Sequence, residues 1–333
     1  MKGVKIGLGI LVSLLFLFMA FRKVEWIQMK RAVVGIRWGY AAGITLVVLL
    51  SDWLRAVRWK YLMAPIRPLD SGSLFNALII GYAANACLPA HLGEFLRAYV
   101  ISRKRHVPAS AAFATIVTER ILDMFSLLAM MLLAIVLYPF PDWIKKSGWV
   151  MFAGTAGLFL FMVFLKVRTA KTLAWVRRIL RPFPARWTAK VESMLQTFLT
   201  GFVALRGIRD YIWVAVLTPA IWLCYCAAFW SAFRAFGFDM PREAPVVLLV
   251  ITTIGIVVPS SPGYVGTYHW LCQFGLGLYG IPKSPALAFA LVHHGMNVIP
   301  FFLLGLVLAW KEGVSLVRTK PVFNGAAEPG VVP

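Results

Sequence analysis

The sequence predicts an all-α polytopic membrane protein with about seven to nine membrane helices, two re-entrant hairpins broken at proline and glycine, and an inverted repeat. Three observations predict it. Of 333 residues, 60% are hydrophobic and 14% charged, whereas a soluble domain carries about 25% charged residues. The apolar residues fall in long runs, several near the ~20 residues a spanning helix needs. In hydrocarbon such runs must be helical, because every backbone polar group has to be paired within the chain. Third, two of the runs stop at Pro/Gly clusters and resume at once.

Membrane-embedded segments are expected near residues 5–21, 38–57, 71–89, 108–138, 148–166, 210–236, 243–260, 264–280 and 285–309. The first holds an apolar run from Ile6 to Ala20, followed by Arg22, Lys23, Lys30 and Arg31. It lacks a small-x-small cleavage site and reads as a retained anchor rather than a signal peptide. The second carries Asp52, Arg55 and Arg58 beside Trp53 and Trp59, read as an interfacial belt. The third passes Asn85, reaches Pro89-x-x-x-Gly93 and enters a basic stretch from Arg97 to Arg105. The seventh leads into Pro259-Ser-Ser-Pro262-Gly263, and the run that follows passes Gly266. Both read as helix, break and helix back, with Pro89, Gly93, Pro259, Pro262, Gly263 and Gly266 as the breaks. Such backbone is tolerated at membrane depth only when buried in protein or lining a wet cavity.

The net charge is +21. In a soluble protein that would suggest nucleic acid. In a membrane protein it follows from the Lys and Arg that collect in cytoplasmic loops and are drawn to anionic headgroups, so no nucleic-acid partner is expected. Between Lys166 and Arg209 there are ten Lys or Arg against one acid, Glu192, interleaved with Leu173, Trp175, Ile179 and Leu180. This segment, 166–209, reads as basic helices lying on the cytoplasmic leaflet, which also places the C-terminus on that side. Residues 1–310 form one membrane domain, and 311–333 read as a disordered tail. Cys87, Cys224, Cys226 and Cys272 lie in or beside apolar runs with no CxxC or zinc spacing.

The two breaks resemble each other. Leu88-Pro89-Ala90-His91-Leu92-Gly93 aligns with Ser261-Pro262-Gly263-Tyr264-Val265-Gly266. Downstream, with one residue of slippage, Pro108, Ser110, Ala112 and Ala114 align with Pro282, Ser284, Ala286 and Ala288. Glu119-Arg120 then falls opposite His293-His294. With the basic segment inside, 108–138 runs outward and 285–309 inward, so the halves, about 71–138 and 243–309, are inverted. Inverted repeats whose broken helices meet near the midplane are a recurring transporter design.

Charge at bilayer depth is expensive and marks functional candidates. Thr115, Glu119 and Asp123 are spaced by four and share one helix face. Arg120 is placed to pair with Asp123, which leaves about one negative charge for a proton or a second arginine to neutralise; Arg97 is a candidate, and it also pairs locally with Glu94. The plainer reading is an ion-pair lock between helices. His293, His294 and Asn297 form the matching patch ahead of Pro300, a helix-kinking residue. They read either as histidines bonded to helix carbonyls or as a headgroup or proton site. His91 and His269 flank the breaks, where packing and function remain alternatives. Half-helices starting after Gly93 and Gly266 would point free N–H groups at an anion.

The stretches NACLPAHLGEFLRAYV (85–100), TERILDMFSLL (118–128) and VPSSPGYVGTYHW (258–270), with SDWLRAVRW (51–59), resemble in order and spacing the flippase-like membrane domain of lysylphosphatidylglycerol synthases and their stand-alone relatives. The resemblance runs from about residue 5 to 310. By position Asn85, Pro89, Gly93, Glu94, Arg97, Glu119, Arg120, Asp123, Pro262, Gly263 and Gly266 match the pattern. His91 stands where the pattern has Arg, and His269 where it has Glu, which puts any shared headgroup preference in doubt. No soluble synthase domain follows Trp310 in this sequence, so the resemblance implies lipid translocation without synthesis, in the bacterial cytoplasmic (inner) membrane.

The expected function is flipping or scrambling of a polar-headed, anionic or zwitterionic lipid through a central cavity. Asn85, His91, Glu94, Arg97, Glu119, Arg120, Asp123, His269, His293, His294 and Asn297 are the substrate-binding candidates. No cofactor, metal set, P-loop or nucleophile elbow is expected, and homo-oligomerisation stays open. An intramembrane enzyme using Glu119 with His293 and Asn297, or a non-catalytic membrane scaffold, are the alternatives.

Overall fold

The computed structural model describes residues 13–88, 92–138, 142–181, 185–201, 205–256 and 262–314. Pro89, His91 and Pro259 lie outside the described residues, as do residues 1–12 of the expected anchor and most of the expected tail. All secondary structure among the described residues is helical. In chain order the helices are α1 (13–21), α2 (Trp26–Val34), α3 (Trp38–Met63), α4 (Ser71–Cys87), α5 (Leu92–Arg105), α6 (Ala109–Leu137) and α7 (Asp142–Val167). There follow α8 (Thr169–Leu180), α9 (Ala185–Gly201), α10 (Ile208–Phe236), α11 (Ala244–Ile256), a single 3₁₀ turn (Pro262–Tyr264), α12 (Thr267–Gly277) and α13 (Lys283–Lys311).

Four helices, α3, α6, α10 and α13, are long and apolar enough to cross a membrane by length and composition. At ~1.5 Å per residue each exceeds the ~30 Å hydrocarbon layer. Their outer faces are what such a layer requires. Leu46 and Leu50 on α3, Leu132, Leu133 and Val136 on α6, Val216 and Leu223 on α10, and Leu303 and Val307 on α13 are all exposed. In water so much continuous apolar surface would drive aggregation.

The second expected segment stopped at residue 57, but α3 continues to Met63. The turn bearing Arg55, Arg58 and Trp59 is therefore helix interior, and all three side chains are buried. The interfacial belt expected there is not what forms.

Helices α4 and α5 double back on each other. The approach is so close that a Cβ built on Gly93 would stand 2.0 Å from the Gly81 carbonyl oxygen. Glycine is the residue that fits at such a backbone contact. Helices α11 and α12 double back as well, with Gly275 against Leu248 and Ile251. Helix α13 presses on α4 through Gly305, whose added Cβ would meet Ala83 at 2.4 Å, and α3 lies along α10. The apolar interior has two main clusters. One joins Trp59, Leu62, Leu74, Ile80, Leu96 and Ile116 of α3 to α6. The other joins Phe229, Phe233, Leu248, Cys272 and Phe289 of α10 to α13.

The basic stretch forms α8 and α9, bridged by Arg177 and Glu192. Trp175, Ile179 and Trp187 are exposed.

Candidate functional site: a buried charge network beside two helix breaks

Helix α6 carries the centre of the site. Thr115, Glu119 and Asp123 are all buried and all point toward α3 and α5. Thr115 Oγ1 accepts a hydrogen bond from Trp59 Nε1 at 2.8 Å. Arg97 of α5 donates to both oxygens of Glu119, through Nη1 at 3.0 Å and Nη2 at 2.9 Å. Its guanidinium carbon lies 3.6 Å from the centre of the Trp59 ring, a cation–π contact. Arg120 Nη2 donates to Glu119 at 2.9 Å, and Arg120 lies 3.6 Å from Asp123. The expected Arg120–Asp123 pairing is therefore present, and Arg97, the candidate second arginine, is paired with Glu119.

Two features differ from expectation. Glu94 does not pair with Arg97 on its own helix. It lies 3.3 Å from Arg120 Nε instead, because Arg97 is buried and turned toward Glu119. Moreover, α3 supplies two arginines that were read as interfacial. Arg55 is paired to Asp123 and lies 3.6 Å from Glu119. Arg58 donates to Asp123 at 2.7 Å and to Thr218 of α10 at 3.2 Å. The signal was available in the sequence: Asp52, Arg55 and Trp59 follow i, i+3, i+7 spacing and so line one helix face.

The two acids and one base of α6 would leave a negative charge in a dry interior. The structure instead adds three guanidiniums from outside α6, those of Arg55, Arg58 and Arg97. Such a network is strong only if nearly every charge is paired, and Glu119 and Asp123 each have at least two arginine neighbours.

The histidine cluster is separate. Tyr268 OH and His293 Nδ1 share a hydrogen bond of 2.6 Å, and His293 stacks on Phe229 at 4.3 Å. Asn297 Nδ2 donates to the His293 carbonyl at 2.7 Å. His294 Nδ1 and His269 Nε2 are 3.4 Å apart, and His269 Nδ1 accepts from the Gly266 amide at 3.2 Å. Gly266 itself has φ +92°, in the region L side chains avoid. Among the described residues no hydrogen bond or ion pair joins this cluster to Glu119, and no three His, Cys, Asp or Glu side chains gather as a metal site.

The two breaks are nevertheless neighbours. A Cβ on Gly263 would meet the Ala86 carbonyl at 3.8 Å. Tyr264 is within electrostatic reach of Arg120 and Glu94, and His294 within hydrogen-bonding reach of the Gly263 backbone. On the other side Asn85 Oδ1 accepts the Gly93 amide at 2.7 Å, so this helix start is tied to the chain before its break.

Long lipid-facing helices around a buried charge network define a multi-pass membrane protein. The chain belongs to the family described as the lysylphosphatidylglycerol synthase TM region, which it matches over residues 6–305. Glycosyltransferase AglD of Haloferax volcanii is 24% identical over 286 residues, covering 75% of this chain but only 45% of that protein. A UPF0104 membrane protein of Methanothermobacter thermautotrophicus is 24% identical over 280 residues, 75% of this chain and 81% of its own length. Another, from Methanocaldococcus jannaschii, is 18% identical over 318 residues, 92% and 94% of the two chains. No solved structure matches.

Proposed function

We propose that the protein translocates a polar-headed lipid, anionic or zwitterionic, across the membrane, with the headgroup passing the Arg55–Arg58–Arg97–Arg120 network. One observation carries this reading: eight charged side chains gathered in the apolar bundle, where Asp52, Arg55, Arg58, Arg97, Glu119 and Asp123 are at most 8% exposed. Arg120 and Glu94 are the exceptions, with side chains 36% and 24% exposed, and form the approach to the network. A phosphate group suits guanidiniums, which bind it in fixed fork geometry.

In this reading α4–α5 and α11–α12 are re-entrant hairpins. At ~1.5 Å per residue, 17, 14, 13 and 11 residues fall short of the ~30 Å layer. The inverted repeat pairs α3–α6 with α10–α13. It is supported by the matching order of long helix, two short helices and long helix, and by α6 and α13 both having 29 residues with proline at the N-cap. With α7 and the hairpins counted, the membrane-embedded segments number seven to nine. The protein lies in a cytoplasmic membrane with α8, α9 and the C-terminus on the cytoplasmic side.

The enzyme alternative is less favoured by the geometry. Glu119 is held between Arg97 and Arg120, which leaves it poorly placed as a base toward His293. A scaffold would not require a charge network this deeply buried.

The test uses purified protein in liposomes with fluorescent lipid in both leaflets, quenched from outside. Translocation removes more than the half of the signal that lies in the outer leaflet, and Glu119→Gln abolishes the excess. Loss that stays at half across anionic and zwitterionic headgroups rejects the proposal.

A further inference from the structure

The charge network has an odd member. It contains four arginines, Arg55, Arg58, Arg97 and Arg120, and four carboxylates, Asp52, Glu94, Glu119 and Asp123. Three of the acids lie within ion-pair distance of an arginine. Asp52 is only 2% exposed, yet its Oδ1 has no hydrogen-bond partner among the described residues. An unpaired buried carboxylate oxygen is costly. Nor is its surrounding apolar: it is faced by Arg55 of its own helix, Tyr82 of α4, Arg97 of α5, Glu119 of α6 and Tyr225 of α10. Helix α13 meets α3 about two turns away, where Thr45 donates to the Met296 carbonyl.

The donors are in surplus where Asp52 is deficient. Arg55, Arg58 and Arg97 each keep a buried Nε–H with no acceptor. With all four acids ionised the network is neutral, four charges against four. An arriving phosphodiester would make it net negative in a medium where net charge is expensive. One proton on Asp52 restores neutrality. Protonating Glu119 or Asp123 would instead break ion pairs already made.

We propose that Asp52 is the proton carrier of the translocation site, and that the protein moves a monoanionic phosphodiester lipid together with one proton, as an electroneutral symporter. This rests on the lipid-translocation reading above. The proton binds the free Oδ1 as the lipid phosphate takes the arginine donors, and leaves as the lipid leaves. The moving species carries no net charge. Lipid distribution therefore responds to a pH gradient and not to the membrane potential.

The experiment uses the full chain in liposomes with trace fluorescent phosphatidylglycerol and an internal pH dye. One arm imposes one pH unit with the potential clamped. The other imposes about 60 mV without a pH gradient, which would hold a lone anion about tenfold out of balance. The expected result is about tenfold enrichment of the probe in the alkaline-side leaflet in the first arm, one proton carried per lipid, and no enrichment in the second. Asp52→Asn should lose the pH response and make the probe follow the potential. The wild-type arms decide alone if that variant fails to fold. Enrichment by potential but not by pH, or full pH coupling in Asp52→Asn, overturns the proton-carrier assignment while leaving translocation intact. A wild-type protein that moves no lipid in either arm overturns both.

Discussion

Arg97 and Glu119 meet fork to fork, 3.0 and 2.9 Å apart at their two contacts, with the guanidinium laid over Trp59 at 3.6 Å. The pair binds the short α5 to the long α6, with both side chains buried. Removing Arg97 strips Glu119 of its two-point partner and leaves it against Arg120 and Arg55, a loss somewhat below the ~3–5 kcal/mol of a buried charge left wholly unpaired. Arg97→Ala should therefore unfold much more readily in detergent than wild type, as followed by thermal denaturation. The double variant Arg97→Met with Glu119→Leu should recover part of that loss while remaining inactive in lipid translocation. An unchanged melting temperature in Arg97→Ala would show that the pair is not holding the helices.

Trp59 positions that arginine and has two separable roles. Trp59→Phe keeps an aromatic face but loses the Nε1 donor to Thr115, an effect of about 1 kcal/mol. Trp59→Leu also loses the cation–π contact, about 2 kcal/mol when desolvated. Leu should be the more damaging substitution to both stability and translocation. Equal effects would assign the whole contribution to the hydrogen bond.

Gly93→Ala tests the hairpin contact. The new methyl would stand 2.0 Å from the Gly81 carbonyl and 2.6 Å from Asn85 Oδ1, so α4 and α5 must separate. Such overpacking typically costs about 1–3 kcal/mol. A control at Gly154, where nothing lies within 4 Å, should be close to neutral by the same measurement. Wild-type melting in Gly93→Ala would mean the hairpin is looser than described.

Asp70 caps α4 outside the spanning segments. Its Oδ1 accepts the Ser73 amide at 2.8 Å, and Oδ2 takes Arg105 at 3.0 Å. The Ser73 backbone donor chiefly holds its carboxyl below the ordinary value of 3.8. A lowered folded pKa means the stabilisation is fully present above that ordinary value and fades as pH falls through the folded one. Asp70→Ala should melt lower than wild type at pH 7, by about 1 kcal/mol or less at this exposed cap. The difference should vanish in strong acid. A gap that persisted in acid would place the effect elsewhere than in the charged carboxylate.

Much of this site was legible because charge inside an apolar run stands out. Glu119, Arg120 and Asp123 interrupt the sequence of α6, and their common face follows from helical spacing alone. The two arginines of α3 were harder to place. Arg55 and Arg58 sit between tryptophans near one end of an apolar run, a pattern shared by interfacial anchors and by helix interiors. Only the continuation of α3 to Met63, and its packing against α6 and α10, decides between them. Similarly, i, i+3 spacing favoured Glu94–Arg97, but long-range packing sent each side chain to a partner on α6. The His293 patch was legible as polar residues near Pro300. Its partners Tyr268 and Phe229 lie on other helices, and no local spacing announces them.

The fastening of α4 to α5 limits where the molecule can give way. Gly93 is tied to Asn85 and pressed on Gly81, and α4 is wedged under Gly305. Contacts this close hold α4 and α5 together as one piece. The seam between α5 and α6 is different, being made of the Phe95–Phe113 stack and the Arg97–Glu119 and Arg120–Glu94 contacts. Aromatic faces slide and ionic partners exchange, so this seam is the softer of the two joints.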